Sequence, residues 1–250
     1  LKMAKFLLKK SYQLKDLKEI PFNDLWGAKG VFTTMRLVGN TNKIILKNNH
    51  LNNLISSSKK YKIRKKNLKK ILLFLINKNL KKNYNNHLLR IALNKKIISI
   101  SIRKRLTPKK EFSLKIFNYK RIEPKYKNLF YKQILKRLGN FDATKYDLLL
   151  CYKNKILETG TSNLLFVKNG KFFSPKNNCY IGNTIKFLNK RIKINFEDIM
   201  IKNLNDYQEV LLVGSGKGIT PVDSIEELKW KSKSTIYSRK INKIYNKLIV

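Results

Sequence analysis

The chain of 250 residues has few cysteines and histidines, which limits the sites it can build. Its two cysteines, Cys151 and Cys179, match no metal-binding spacing. Isolated thiols in a chain of this size indicate a reducing compartment and no disulfide framework. The two histidines, His50 and His87, are isolated as well, so we expect no metal site. No stretch is long and apolar enough to cross a bilayer, which predicts no membrane partner.

The N-terminal segment, residues 1–10, is basic and contains one short apolar patch at Phe6-Leu7-Leu8. It lacks the longer apolar region and the small-residue cleavage site of a signal peptide. We therefore expect no secretion signal here and a cytoplasmic location.

Acidic residues are scarce, because 15 Asp and Glu oppose 56 Lys and Arg and leave a formal net charge of +41. Such a charge suits nucleic-acid binding through phosphate neutralisation. It also suits compositional drift, because Lys, Asn, Ile, Phe and Tyr, which have A/T-rich codons, are all abundant. The lysines are spread along the whole chain, and arginine, the preferred phosphate reader, is scarce. We favour drift and keep a basic nucleic-acid-binding protein as an alternative.

The hydrophobic pattern predicts an α+β protein with two subdomains. The predicted strands are 31–38, 43–46, 88–93, 97–102, 114–119, 146–152, 164–167, 171–173 and 210–213. The predicted helices are 50–60, 65–79, 128–138, 184–190 and 234–249. We expect residues 1–118 to form the smaller subdomain and residues 124–250 the larger one, with residues 119–123 as the connection between them.

Four segments carry residues that suit chemistry. Leu157-Glu158-Thr159-Gly160-Thr161-Ser162-Asn163 places a carboxylate among small polar residues, although a surface turn is its simpler interpretation when taken alone. Lys125 lies just before a predicted helix. Tyr180-Ile181-Gly182-Asn183-Thr184 is a helix start that could bind an anion or be capped by Asn183 or Thr184. The glycine-rich residues 213–222 fail the P-loop spacing but could still hold a phosphate on their N–H groups.

Together, and in this order, these segments resemble the class IV aminotransferases, the fold-type IV pyridoxal phosphate enzymes. The resemblance runs from about Asp24 to Val222. Residues 27–36 are similar to the family's Gly-Asp-Gly-x-Phe-Glu-Thr-x-Arg strand, and residues 50–54 to its His-x-x-Arg-Leu motif. The most specific pieces are Glu158 to Asn163 with the hairpin that follows, and the Thr-Pro-Val end of the glycine-rich segment.

The resemblance implies a fold like that of D-amino acid aminotransferase, a cofactor site between the subdomains, a homodimer, and pyridoxal 5′-phosphate as cofactor. Lys125 matches the lysine that is joined to the cofactor aldehyde and then acts as general base and acid. Glu158 is implied to pair with the pyridine nitrogen. The implied phosphate-binding residues are Asn183, Thr184, Ser215 and Gly216.

Two strand residues are the candidate substrate contacts. Arg36 could bind a substrate carboxylate through two parallel hydrogen bonds, although a solvent-facing strand residue is an equal interpretation. Phe32, on the same predicted strand, is the other candidate.

Three features depart from the family pattern. Asn53 replaces the arginine of the His-x-x-Arg-Leu motif, whose loss could cost roughly 1.5–3 kcal/mol of cofactor affinity. A nearby base could substitute, and the candidates are Lys59, Arg64 and Lys186. Thr33 stands where most transaminases have Glu, and Phe-Thr-Thr at this point is similar to the lyase branch. The segment before Gly27 is short, so we expect the first strand to be missing or reduced.

The leading hypothesis is therefore an aminotransferase that acts on an amino acid and a 2-oxo acid, with branched-chain-like substrates among the candidates. The alternative within the family is aminodeoxychorismate lyase, which releases pyruvate and 4-aminobenzoate. The second alternative is a degenerate scaffold that binds nucleic acid through its charge.

Overall fold

A computed structural model describes residues 5–80 and 84–249 of the chain. Residues 1–4, the start of the basic N-terminal segment, lie outside the described residues. The chain folds into two compact units. The N-terminal unit contains residues 5–105 together with Tyr126–Lys132, and the C-terminal unit contains Leu106–Lys125 and residues 133–249.

The N-terminal unit is an antiparallel sheet covered by two helices. Its elements are β1 (Phe6–Gln13), β2 (Glu19–Ile20), β3 (Gly30–Val38), β4 (Lys43–Ile44), α1 (Lys47–Lys60), α2 (Leu68–Asn79), β5 (His87–Asn94) and β6 (Ile97–Lys104). The strand order is β2-β1-β6-β5-β3-β4. Residues of α1 and α2 such as Leu54 and Leu72 share one buried cluster with Met35 of β3 and Ile91 of β5. This cluster fixes β3, and with it the two candidate substrate residues.

The first strand is present, so the expected loss of this strand is wrong. β1 is eight residues long and pairs with β6 from Phe6 to Gln13. Within β1 only Ser11 and Tyr12 are buried. A strand with so few buried positions lacks the apolar alternation by which strands are found in a sequence.

The predicted helix 128–138 begins only at Lys132. The N–H of Phe32 donates to the carbonyl of Lys127 over 2.9 Å, and the N–H of Leu129 donates to the carbonyl of Gly30 over 3.0 Å. Residues 127–129 therefore lie extended beside β3, because its backbone offers hydrogen bonds that a helix would forgo. Gly30 permits this approach, since a Cβ there would lie 2.8 Å from Leu129 and 2.4 Å from the carbonyl of Leu93.

Left-handed residues account for two further differences from the sequence prediction in the N-terminal unit. The strand predicted at residues 43–46 is β4, and it ends at Ile44. Leu46 has a left-handed φ of 54° and directly precedes α1. The helix predicted from residue 65 starts at Leu68, after Asn67 with a φ of 56°. Left-handed residues interrupt a strand or a helix without changing its hydrophobic pattern.

The C-terminal unit contains two sheets and three helices among the described residues. Its elements are β7 (Ser113–Asn118), α3 (Lys132–Leu138, whose first residue belongs to the N-terminal unit), β8 (Tyr146–Tyr152), β9 (Lys155–Thr159), β10 (Asn163–Lys168), β11 (Lys171–Pro175), α4 (Asn183–Asn189), β12 (Ile194–Glu197), β13 (Ile199–Met200), β14 (Glu209–Gly214), β15 (Gly218–Pro221), β16 (Ser224–Ile225), β17 (Trp230–Lys231) and α5 (Ile236–Asn246). Short 3₁₀ turns cover Ile201–Asp206 and Glu226–Leu228. The strand orders are β12-β11-β10-β14-β15 and β13-β9-β8-β7-β16-β17.

The hairpin predicted around Asn169-Gly170 is confirmed. β10 and β11 pair antiparallel across these two residues, whose φ values are 49° and 71°. Two consecutive positive φ values characterise the tight turn that matches the twist of a β-hairpin. The first strand of this hairpin starts at Asn163, the last residue of the segment that begins with Glu158.

Candidate active site

Glu158 is a buried strand residue, and its interpretation as part of a surface turn is wrong. It lies in β9 opposite Leu150 of β8, and it is 5% exposed. Its Oε1 accepts a hydrogen bond from Nε of Arg121 over 2.7 Å, and both side chains of this ion pair are buried. A buried carboxylate is tolerated only with such compensation of its charge.

Arg121 connects Glu158 to the residue before Lys125. While its Nε donates to Glu158, its Nη2 donates to the carbonyl of Pro124 over 2.8 Å. Lys125 follows directly, and its side chain is exposed. One guanidinium therefore holds the carboxylate and the peptide that carries the candidate lysine. The sequence analysis missed Arg121, whose only signal was an arginine four residues before that lysine.

The Glu158 segment, residues 158–163, also holds the start of α4. Tyr180 donates its N–H to Oε2 of Glu158 over 3.4 Å. Asn163 donates from Nδ2 to the carbonyl of Tyr180 over 2.5 Å and accepts the N–H of Gly182 on Oδ1 over 2.9 Å. The N-cap of α4 is Gly182, without a side-chain capping bond, so capping by Asn183 or Thr184 is wrong. Both of these residues are buried in the first turn.

The glycine turn, residues 214–218 between β14 and β15, lies against the Glu158 segment. A Cβ at Gly214 would be 2.8 Å from Oγ of Ser162, so the two backbones approach as closely as glycine allows. Gly218 has a φ of +72°, which also favours glycine. Ser215 and Gly216 are half-buried. The Nζ of Lys217 is directed inward and donates to the carbonyl of Ala143, unlike a P-loop lysine, which reaches a bound phosphate.

Phe32 and Arg36 lie in the N-terminal unit, on the sheet face opposite α1 and α2. Phe32 is 6% exposed, and its ring makes edge contacts with Trp26 and Tyr131. Arg36 is half-buried and donates from Nη2 to Oδ1 of Asn86 over 3.1 Å. The alternative interpretation of Arg36, as a strand residue that faces solvent, fits this partial burial poorly.

Arg90 is a further guanidinium on this face that the sequence analysis did not single out. It pairs with Thr34 across β3 and β5, and therefore shares the face of Phe32 and Arg36. Its guanidinium lies 3.7 Å from the ring centroid of Trp26. Burial lowers the pKa of Arg90 to about 9, which leaves the group charged at neutral pH.

Two motif residues of α1 have different surroundings. His50 is buried, and its Nδ1 lies 2.7 Å from Oγ1 of Thr33. Burial, and secondarily the charge of Lys127, lower the pKa of His50 to about 3, so the ring is neutral. Asn53, which replaces the family's arginine, is half-buried on the same helix. Lys59, Arg64 and Lys186, the suggested substitutes, are all exposed.

The residues present fit pyridoxal phosphate in their chemistry. Lys125 offers a primary amine to an aldehyde, and Glu158 offers a buried carboxylate to a pyridinium nitrogen. The first turn of α4 and the glycine turn offer backbone N–H groups to a phosphate. All of these residues belong to the C-terminal unit, whereas Phe32 and Arg36 belong to the N-terminal unit.

Among residues 5–80 and 84–249, no three His, Cys, Asp or Glu side chains group as metal ligands would. Within the same residues no helix has the length and apolarity for a bilayer crossing.

Comparison with known proteins identifies the family. Residues 30–225 match the family model described as amino-transferase class IV. No curated protein sequence matches the chain significantly. Three solved structures illustrate the similarity in fold. A hypothetical aminotransferase from Mycobacterium tuberculosis in PLP-bound form has a TM-score of 0.73 and 15% identity, over 97% of this chain and 99% of its own.

The other two structures are an aminotransferase and a putative lyase. A branched-chain aminotransferase from Thermoproteus uzoniensis, with norvaline, has a TM-score of 0.76 and 16% identity, over 96% of this chain and 94% of its own. A putative 4-amino-4-deoxychorismate lyase from Legionella pneumophila has a TM-score of 0.70 and 17% identity, over 88% of this chain and 91% of its own.

These matches confirm the predicted fold class, the prediction of an enzyme, and pyridoxal phosphate as the cofactor of the family. The family model covers residues 30–225, which is most of the chain, and the structures share the fold over nearly all of it. The chain belongs to the class IV aminotransferase family.

Proposed function

We propose that the chain is a pyridoxal phosphate-dependent aminotransferase that moves an amino group between an amino acid and a 2-oxo acid. The cofactor, when bound, supplies an aldehyde for the amine and a ring that withdraws electrons from the substrate. Lys125 is the amine joined to the cofactor, and it then removes and returns the proton at the substrate carbon. Its exposed side chain is accessible to the aldehyde.

The observation that carries the proposal is the bridge made by Arg121. A carboxylate for the pyridine nitrogen must keep a fixed position relative to the lysine that reacts with the aldehyde on the same ring. Arg121 binds the Glu158 carboxylate over 2.7 Å and the Pro124 carbonyl over 2.8 Å, and Lys125 is the next residue. A buried guanidinium with two such bonds holds the two groups at one spacing.

The phosphate of the cofactor is assigned to the first turn of α4 and to the glycine turn. Asn183 and Thr184 contribute N–H groups at the start of the helix, and Ser215 and Gly216 contribute a hydroxyl and an N–H. Support comes from the contacts of Asn163 with Tyr180 and Gly182, which fix the entry into α4.

The substrate is assigned to the sheet face of the N-terminal unit that carries Arg36 and Phe32. A guanidinium binds a planar carboxylate through parallel hydrogen bonds. Arg36 donates to the side-chain amide oxygen of Asn86, which is neutral and therefore leaves the charge of the guanidinium for a carboxylate. Phe32 supplies an apolar wall beside it, and its packing against Trp26 and Tyr131 fixes that wall.

Cofactor attachment provides the direct test. Protein incubated with pyridoxal phosphate should develop an absorption band near the visible edge, and borohydride reduction should fix the cofactor on the Lys125 peptide, as read by mass spectrometry. Lys125→Ala should lose the band and lower turnover by about 10²–10⁴-fold. Lys136→Ala, which changes an exposed lysine of α3, is the matched control and should keep both. Reduction that labels many lysines without preference for Lys125 would refute the assignment.

Aminodeoxychorismate lyase is the second candidate. The Phe32-Thr33-Thr34 sequence favours it, since Thr33 stands where most transaminases have Glu, and here its hydroxyl is engaged by His50 over 2.7 Å. A product assay separates the two activities. Glutamate formed from 2-oxoglutarate supports the aminotransferase, whereas 4-aminobenzoate formed from aminodeoxychorismate supports the lyase.

We further infer a homodimer in the cytoplasm. The resemblance to the family supports the dimer, and light scattering should give twice the mass of one chain. The location is supported by Cys151 and Cys179, which are both free and buried, as expected in a reducing compartment.

A further inference from the structure

A buried carboxylate outside the proposed cofactor contacts lies beside the Glu158 segment. Asp147 is on β8 and is 0% exposed. Its carboxylate accepts hydrogen bonds from Oγ1 of Thr159 over 3.0 Å, from Oγ1 of Thr161 over 2.5 Å and from the N–H of Leu148 over 2.8 Å. Burial raises the pKa of Asp147, while the charge of Lys217 and the three donors oppose this shift. An inward-facing strand position is normally apolar. A carboxyl there is tolerated because these hydrogen bonds compensate its burial.

The hydroxyl of Thr159 organises the whole Glu158 segment. Besides donating to Asp147, it accepts the N–H of Thr161 over 3.2 Å and that of Ser162 over 2.8 Å. The N–H of Thr159 in turn donates to the carbonyl of Ser162 over 2.9 Å. Two backbone N–H groups of the segment therefore donate to one hydroxyl, that of Thr159, and this hydroxyl in turn donates to Asp147.

Lys217 reaches the same place from the glycine turn. It is 8% exposed, its Nζ donates to the carbonyl of Ala143, and this ammonium lies 4.7 Å from the ring centroid of Phe112. Ala143 lies four residues before Asp147, so Lys217 ties the glycine turn to the same stretch of chain from which Asp147 holds the Glu158 segment, and its charge opposes the rise in the pKa of Asp147. Because the side chain of Lys217 is buried and hydrogen-bonded, it fixes the position of the glycine turn that contains it.

We propose that Asp147 and Lys217 form a clamp that positions the Glu158 segment and the glycine turn relative to each other. The inference rests on the proposed function, because it makes both residues positioning residues for cofactor binding. Glu158 precedes the first threonine that Asp147 holds, and Ser215 and Gly216 immediately precede Lys217. Between the two segments, Ser162 lies against Gly214, so a small displacement of either segment moves the other.

Removing the charges of Asp147 and Lys217 should affect overall stability and the position of the two segments differently. Each of the two groups loses hydration on burial, and its hydrogen bonds together with the opposite charge roughly offset that cost, so neutralising both together changes overall stability little. The bonds that locate the two segments are lost nevertheless. A positioning role therefore predicts local loosening of these segments in a protein that is still folded.

The test uses the double variant Asp147→Asn/Lys217→Met. The matched control is Asp206→Asn/Lys168→Met, which makes the same chemical changes in an exposed ion pair of the same unit, 2.9 Å long. A milder variant, Thr161→Val, removes one donor to Asp147 and leaves the buried charges in place, so the test survives if the double variant does not fold.

Hydrogen exchange without cofactor is the first measurement. Amide exchange in the Glu158 segment and the glycine turn should rise at least tenfold in the double variant, about threefold in the Glu158 segment of Thr161→Val, and not in the control. An unchanged rate in both segments overturns the clamp. A rise of equal size throughout the C-terminal unit also overturns it, because that result describes general destabilisation.

The second measurement is the dissociation constant of pyridoxal phosphate, from its absorption band. It should increase at least tenfold in the double variant and remain within twofold of the original in the control. Loosened segments with an unchanged dissociation constant overturn the positioning role. If the unaltered protein binds no pyridoxal phosphate, the proposed function fails, and with it the positioning role for cofactor binding. Hydrogen exchange then still decides by itself whether the two segments are coupled.

Discussion

His50 should make the stability of the N-terminal unit depend on pH in a direction that the structure fixes. Burial lowers the pKa of this histidine to about 3, against 6.5 for the unperturbed side chain. Between these values the unfolded chain binds a proton that the folded chain does not. Stability is therefore fully present above pH 6.5 and is lost as the pH falls from 6.5 towards 3, by about 1.4 kcal/mol per pH unit.

The magnitude can be stated for one pair of conditions. From about pH 7 to about pH 4.5 the histidine should remove roughly 2–3 kcal/mol from the free energy of unfolding. His50→Gln should lack this part of the loss, so the difference between the two proteins should shrink or reverse as the pH falls. Thr33→Val removes the hydroxyl beside the ring but keeps the histidine, so most of the pH dependence should remain.

Urea unfolding measures the free energies. Trp26 fluorescence in a Trp230→Phe background follows the N-terminal unit alone, since these are the two tryptophans of the chain. NMR of the histidine ring checks the cause directly, because one of only two histidine signals disappears in His50→Gln. The reasoning is refuted if the His50 signal titrates near pH 6, or if the difference in unfolding free energy between the proteins is the same at both pH values.

Three further predictions follow from buried contacts of the C-terminal unit. Arg121→Met should lower the free energy of unfolding by about 3–5 kcal/mol in urea titration, since it leaves Glu158 buried without its charge partner, and adding Glu158→Gln should recover part of this loss. Gly214→Ala should cost about 1–3 kcal/mol because its Cβ would lie 2.8 Å from Ser162, and Ser162→Gly in that background should restore stability in the same assay. Burial raises the pKa of both cysteine thiols to about 12, so a thiol reagent at about pH 8 should label the folded protein far more slowly than the unfolded one, and equal rates would contradict this.

The sequence by itself determined the family and the order of the candidate residues. Lys125, the Glu158 segment and the glycine turn are recognisable because their residue types and their order along the chain resemble the motifs of the class IV aminotransferases. The hairpin at Asn169-Gly170 was predictable for a local reason, since few residues other than Asn and Gly adopt two consecutive positive φ values.

The tertiary structure decided what depends on distant partners. The residues before Lys132 have a helical pattern but lie extended, because the backbone of β3 offers them hydrogen bonds from about one hundred residues earlier in the chain. Arg121 was one cation among 56 until the fold buried it against Glu158. Asp147 and Lys217 are 70 positions apart in the numbering, and only the fold places Lys217 on the carbonyl of Ala143, where its charge acts on the pKa of Asp147. Local patterns record propensity and periodicity, whereas burial and charge pairing arise only when remote segments meet.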